Sequence, residues 1–203
     1  MTMETAFIGD VHGEAHALGE LLRIALPKSR RVVFLGDLVN RGPASRSVLE
    51  LLVQLRASGS VDLVMLAGNH DEAFADVLRD SARENEFLRM GGAATIQSYV
   101  MPPYKDVFAQ LRDAVPASHV RLLESQRPQW ESDQVVARHR WAGNGDSGGR
   151  YVIAGHSVQV GSLPHIDDGQ ALVDTGCGTI RGGRLTAFYW PSRSWDQVDV
   201  PLV

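Results

Sequence analysis

The chain has 203 residues, 44% of them hydrophobic, enough for one good-sized core, so a single domain over residues 1–203 is expected. A formal net charge of −4 offers no basic face to a polyanion and excludes tight non-specific binding of nucleic acid. A single cysteine, Cys177, excludes an internal disulfide, and neither a membrane-length apolar run nor a leader-like start stands in the sequence, which predicts a cytoplasmic protein without a membrane partner.

Ala6-Phe7-Ile8 reads as a buried strand that ends at Gly9-Asp10-Val11-His12-Gly13. Leu18, Leu21, Leu22 and Ala25 then recur at helical spacing as far as Pro27. A second strand, Val32-Val33-Phe34-Leu35, leads into Gly36-Asp37-Leu38-Val39-Asn40-Arg41-Gly42-Pro43. The following helix carries Val48, Leu51, Leu52 and Leu55, with Ser45 as its N-terminal boundary and Gly59 at its end. A third strand, Leu63 to Ala67, runs into Gly68-Asn69-His70-Asp71. Residues 71 to about 90 read as one polar-rich helix stopped by Gly91-Gly92. Residues 93 to 135 look helical and irregular, broken by Pro102-Pro103 and Pro116. Beyond them Val135-Val136, Tyr151 to Ile153, Ala171 to Val173, Leu185 to Trp190 and Gln197 to Val200 are short β-type runs. The expected class is α/β (α+β), with these runs forming a second mixed sheet packed on the first in a sandwich flanked by helices.

Loops at the carboxyl ends of neighbouring parallel strands converge on one crevice, so the three blocks would bring two Asp, two His, an Asn and an Arg together. Asp-x-His offers an oxygen and an imidazole nitrogen to one ion, and a second Asp can bridge two ions. Such a pair lowers the pKa of a shared water, which makes hydroxide available as the nucleophile for in-line attack. The planar fork of Arg41 suits the phosphate, and His70 suits protonation of the leaving oxygen. Downstream, His139 and His156 stand at strand ends; His16 lies within the first helix, His119 begins a helix and His165 follows Pro164 in a turn.

Together these blocks, with Gly155-His156-Ser157, resemble the phosphoprotein phosphatase branch of the calcineurin-like metallophosphoesterases over nearly the whole chain. Glu86 to Tyr99 resembles the segment after the third block in bacterial serine/threonine phosphatases. Val173-Asp174-Thr175-Gly176-Cys177 and Gly182 to Thr186 resemble their terminal strands, in a form similar to symmetric diadenosine tetraphosphatases. The resemblance implies two divalent ions, manganese first, with iron, zinc, cobalt or magnesium compatible. Asp10, His12 and Asp37 would hold one, and Asp37, Asn69, His139 and His156 the other. Arg41, Asn69 and His70 would meet the substrate, with His70, Arg41 and Asn40 in catalytic roles.

Three places depart from the family pattern. His139 is followed by Arg140-Trp141 rather than His-Ala-Gly or His-Gly-Gly and is placed by its spacing from Glu131. Only residues 140 to 155 separate it from His156, where relatives carry a long segment with a second phosphate-binding arginine; Arg138, Arg140 and Arg150 are the candidates to replace it. Asn40 stands where protein phosphatases commonly have aspartate; it would accept the N–H of His70 but support its cation less.

The expected partner is a phosphorylated substrate, with phosphoserine or phosphothreonine in a protein favoured. Symmetric cleavage of diadenosine tetraphosphate to ADP is the alternative, a small phosphate ester a further substrate class, and a phosphate-binding module without catalysis the non-enzyme reading. Gly145-Asp146-Ser147-Gly148-Gly149 imitates a serine-protease loop, and Gly143-x-Gly145-x-x-Gly148 a dinucleotide fingerprint. Neither has its context, and a Gly/Ser rim loop is expected instead. Cys177 reads as a quiet buried thiol, and Tyr189, Trp190 and Trp195 as sheet packing.

Overall fold

Every one of the first three blocks leaves the carboxyl end of a strand, and these three strands run parallel in one sheet. The computed structural model describes residues 3–79, 81–141, 143 and 147–201. Strands β1 (Glu4–Ile8), β2 (Ser29–Phe34) and β3 (Asp62–Met65) run side by side, with Phe7 opposite Val33 and Val33 opposite Val64. Helix α1 (Ala15–Ala25) buries Ala17, Leu18, Leu21, Leu22 and Ala25 as one stripe. Helix α2 (Ser45–Ser58) ends at left-handed Gly59, φ 61°. Ser45 is its first residue rather than its cap. Its hydroxyl serves the preceding loop, accepting the Asn40 amide at 3.2 Å.

The stretch expected as one helix from 71 to 90 is two. Helix α3 (Asn69–Arg79) and helix α4 (Glu84–Arg89) are separated by a turn, and α5 (Gly92–Tyr99) follows. Phe87 stacks on Phe74 with centroids 5.6 Å apart. A continuous helix would hold those residues about 20 Å apart, so burying both rings requires the chain to turn back. Helices α6 (Val107–Ala114) and α7 (Ala117–Glu124) complete the layer over the outer face of the sheet, packing Phe108, Leu111, Leu122 and Leu123 into the same core as Ala6, Ile8, Val32 and Phe34.

The second sheet contains β4 (Gln129–Glu131), β5 (Val135–Arg138), β6 (Tyr151–Ala154), β7 (His165–Ile166) and β8 (Gln170–Leu172), in the order β4-β5-β6-β8-β7. His165 therefore lies in a short edge strand, not a turn. The terminal strands β9 (Arg184–Trp190) and β10 (Trp195–Asp199) do not join this sheet as expected; they extend the first, in the order β10-β9-β1-β2-β3. Strand β9 pairs antiparallel with β1 from Thr5–Trp190 to Ile8–Ala187 and is buried from Leu185 to Tyr189. Being apolar on both faces, its sequence suits either sheet. The sheets meet through Phe7, Val33, Val135, Ile153 and Ala171, with Phe188 stacked on Tyr151. Tyr189 is buried and Trp190 packs on Tyr151, whereas Trp195 is exposed. The Gly143–Gly149 segment falls partly outside the described residues. No helix among those described is long and apolar enough to cross a membrane.

Candidate metal centre

The loops that end β1, β2 and β6 are held in conformations that side chains rarely adopt. Positive φ occurs at His12 (43°), Asp37 (52°), Asn40 (71°), Arg41 (69°) and His156 (67°). Strain of this kind, on the order of 1–3 kcal/mol at each residue, persists where surrounding bonds over-determine it. Here the amides of Val11 and His12 both donate to the Asp37 carbonyl at 3.0 and 2.9 Å, and the Gly42 amide donates to the His12 carbonyl at 2.9 Å. Two glycines admit the close approach this needs. A Cβ on Gly68 would overlap the Asp37 amide and carboxylate, and one on Gly155 would overlap Asp10 Oδ1.

Asp37 lies at the centre. Its Oδ1 accepts the His70 amide at 2.9 Å. Its Oδ2 stands 3.8 Å from His12 Nε2, 3.9 Å from His70 Nε2 and 3.4 Å from His139 Nε2. His12 Nδ1 donates to the Val39 carbonyl at 3.1 Å and His139 Nδ1 to the Leu35 carbonyl at 3.0 Å, so both rings turn the Nε2 lone pair inward. His139 Nε2 also has Asn69 Oδ1 at 3.1 Å and His156 Nδ1 at 3.2 Å. The structure thus gathers two clusters of side chains that share Asp37: His12, Asp37 and His70, and Asp37, His139 and His156. The Asp10 carboxylate accepts the His156 amide through both oxygens, at 3.1 and 3.2 Å, and so ties the first loop to the last.

His70 differs from its neighbours. Its Nδ1 faces the Asn40 side-chain amide nitrogen at 3.1 Å, a group that only donates. The orientation of Asn40 is set by buried Thr95 on α5, whose hydroxyl donates to Asn40 Oδ1 at 2.8 Å and accepts the Asn40 backbone amide at 3.0 Å. Thr95 and Ser45 hydroxyls pair at 2.9 Å. Asn40 therefore gives a hydrogen bond to His70 instead of accepting one as expected. With Nδ1 an acceptor, the ring proton sits on Nε2 and points toward the Asp37 side of the crevice.

The electrostatics of the cluster suit a cation. Burial, reinforced by mutual repulsion, lifts the carboxyls of Asp10 and Asp37 well above the usual range, and burial also raises Asp174. Burial brings Asp71 to about 6, despite donors from Gln126 and the Leu38 amide. Burial lowers every imidazole of the cluster, His70 to about 4 and His139 to about 3, with His12 and His156 moving the same way. Buried carboxylates beside neutral imidazoles, with lone pairs converging, are a donor set that fits divalent metal. Asp71, Thr95 and Asp174 were not singled out from the sequence as site residues. Asp71 and Asp174 belong to the quoted blocks, and Thr95 to the Gly91–Tyr99 segment, so only the contacts reveal what they do.

Arg41 enters the crevice from the same loop. Its amide donates to the Gly91 carbonyl at 3.2 Å, and its Nη1 lies 2.8 Å from His12 Nε2 and 2.6 Å from Thr179 Oγ1. Of the three arginines proposed for the opposite rim, Arg150 is ion-paired with Glu131 at 2.9 Å and Arg138 donates to Gln129 at 3.0 Å. Arg140 adds its charge to the surroundings of His139 and His156. A groove of about 770 Å³ opens beside Arg41, and a smaller one of about 370 Å³ adjoins Asn69, His139 and Arg140. Cys177 is buried, its thiol donating to the Val11 carbonyl and pushed up by burial, as expected for a quiet cysteine.

A family model described as calcineurin-like phosphoesterase matches residues 3–160. A symmetrical bis(5'-nucleosyl)-tetraphosphatase from Methylobacillus flagellatus is 30% identical over 141 residues, 66% of this chain and 47% of that protein. Serine/threonine-protein phosphatase PP1-1 from Saccharomyces cerevisiae is 32% identical over 93 residues, 45% of this chain and 29% of that protein. The chain thus spans about half the length of the first relative, 47%, and under a third of the second, 29%. A metallophosphoesterase from Sphaerobacter thermophilus superposes with a TM-score of 0.59 at 20% identity, covering 99% of this chain and 90% of that one, a likeness of fold.

Proposed function

The chain belongs to the calcineurin-like phosphoesterase family, and from that premise we propose that it hydrolyses phosphoric esters with two divalent metal ions. Asp37 would serve both ions, Asp10 and His12 one, and Asn69, His139 and His156 the other. The observation that carries this reading is His139 Nε2. Its ring proton is spent on Leu35, yet Asn69 Oδ1, His156 Nδ1 and Asp37 Oδ2 all lie within 3.4 Å of it. The Nε2 lone pair meets Asn69 Oδ1 at 3.1 Å and the Asp37 carboxylate at 3.4 Å, and acceptors so placed repel one another unless a cation joins them. When bound, such ions supply a water of lowered pKa and neutralise charge on the phosphate. Arg41 then orients a phosphate oxygen with its fork, and the Nε2–H of His70 donates to the oxygen that departs. Manganese is the metal proposed first, and the cytoplasm the compartment.

Asn40 bears on the substrate. By donating to His70 Nδ1, it favours a neutral imidazole, a weak acid for an alkoxide leaving group such as serine. A phosphate leaving group needs little protonation, so phosphoanhydrides of the dinucleoside tetraphosphate kind are the substrate class proposed, with phosphoserine and phosphothreonine second. The test uses manganese-loaded protein with diadenosine tetraphosphate, a phosphoserine peptide and p-nitrophenyl phosphate. ADP as sole nucleotide product is expected, and Asp37→Asn should abolish turnover. Faster release of phosphate from the peptide would restore the protein phosphatase reading. Two metals bound without turnover of any substrate would leave a binding module.

A further inference from the structure

The 770 Å³ groove beside Arg41 is walled by the Gly176–Gly183 turn on one side and by α5 on the other. The turn is braced: the Thr179 and Ile180 amides donate to the Gly176 carbonyl at 3.0 and 3.1 Å, and the Gly183 amide to the Ile180 carbonyl at 3.0 Å. Thr179 from this turn meets Arg41. Two positions further on, Arg181 is exposed and has no hydrogen-bond or ion-pair partner among the described residues. Across the groove, Gln97 of α5 is likewise exposed and unpartnered. Glu14 lines the inner end, its carboxyl raised by burial. The groove adjoins the metal-centre cluster at His12: Arg41 reaches His12 Nε2 from its lining, a Cβ on Gly178 in its wall would meet His12, and the His12 ring lies 4.7 Å from that of His70.

We infer that this groove is a leaving-group subsite in which Arg181 and Gln97 bind a second phosphate, so that the chain selects substrates whose leaving group is a nucleoside diphosphate. The inference rests on the hydrolytic reading above. Arg181 supplies a bidentate cation, Gln97 a neutral donor, and Glu14 an acceptor for sugar hydroxyls. In the reaction, water gives its oxygen and one hydrogen to the attacked phosphorus, the bond from phosphorus to the bridging oxygen breaks, and the second hydrogen goes to that oxygen. The bridging oxygen leaves as a terminal oxygen of ADP. Arg181 is a binding residue here and takes no part in the proton's transfer.

The test measures ADP affinity by calorimetry and the ratio of kcat/KM for diadenosine tetraphosphate over p-nitrophenyl phosphate, in the parent, Arg181→Gln, Arg181→Lys and Gln97→Ala, with circular dichroism to confirm folding. Arg181→Gln is expected to weaken ADP binding at least tenfold and to lower the ratio at least tenfold through KM; Arg181→Lys should recover part of both. If Arg181→Gln binds ADP as the parent does, or the parent does not bind ADP, the inference is overturned. If the parent turns over neither substrate, the hydrolytic reading fails, and the ADP titration alone decides the subsite.

Discussion

Replacing Thr95 by valine keeps its shape and removes one hydroxyl. Thr95 is fully buried, and its hydroxyl is the donor to Asn40 Oδ1 at 2.8 Å. The Asn40 backbone amide retains Ser45 Oγ at 3.2 Å, so the stranded groups are the Asn40 Oδ1 acceptor and the buried Ser45 hydroxyl proton, which pairs with Thr95 at 2.9 Å. A buried acceptor without a donor costs about 1–3 kcal/mol. Taking ~2 kcal/mol, and roughly 2–4 °C per kcal/mol for a chain of this size, the melting temperature falls by about 4–8 °C. Thr95→Ser keeps the donor and loses a methyl group, costing about 1 kcal/mol. In Thr95→Val, by contrast, Asn40 is free to turn its oxygen to His70, which moves the ring proton to Nδ1. Nitrogen NMR of His70 reads that change directly, alongside calorimetric melting and metal analysis. An unchanged melting temperature together with an unchanged His70 tautomer in Thr95→Val would refute the role given to Thr95.

Chelation is expected to lower the melting temperature more at pH 8 than at pH 5.5. Asp10 and Asp37, raised by burial, make the metal-free fold lose stability as pH climbs through their folded pKa values, whereas the lowered imidazoles of His12, His70 and His139 cost it stability as pH falls below about 6.5, where the unfolded chain takes up protons. Metal needs all of these groups deprotonated, so its stabilisation grows with pH; an equal chelator shift at both pH values in scanning calorimetry would contradict this. Gly155→Ala should displace Asp10 and reduce metal content, whereas Gly161→Ala, which meets open space at φ 71°, should retain it; equal metal content in the two would refute the packing argument. Arg41→Lys preserves charge but loses the fork held by Thr179, and KM is expected to rise at least about tenfold, as for the loss of a charge-assisted bond of 1.5–3 kcal/mol; an unchanged KM would place Arg41 outside the substrate site.

The sequence alone determined the three strand-loop-helix units, because buried parallel strands are continuous apolar runs and tight loops between them demand glycine and short polar residues. The candidates Asp10, His12, Asp37, Asn69 and His70 stand in those loops for that reason, and the candidates His139 and His156 at the ends of later strands. What only tertiary structure decided are matters of pairing across long separations. Strand β9 is apolar on both faces and carries no mark of which sheet it joins; hydrogen bonding to β1 assigns it to the first. The helix break between Arg79 and Glu84 follows from stacking Phe87 on Phe74, a contact no local spacing encodes. Asn40 looked like an acceptor for His70 until Thr95, 55 positions away, claimed its oxygen. Arg181 lies outside every quoted motif, and only the fold brings its turn beside Arg41. Short-range chemistry writes the candidate ligands into the chain, while the partners that orient them arrive from distant segments and are selected by packing.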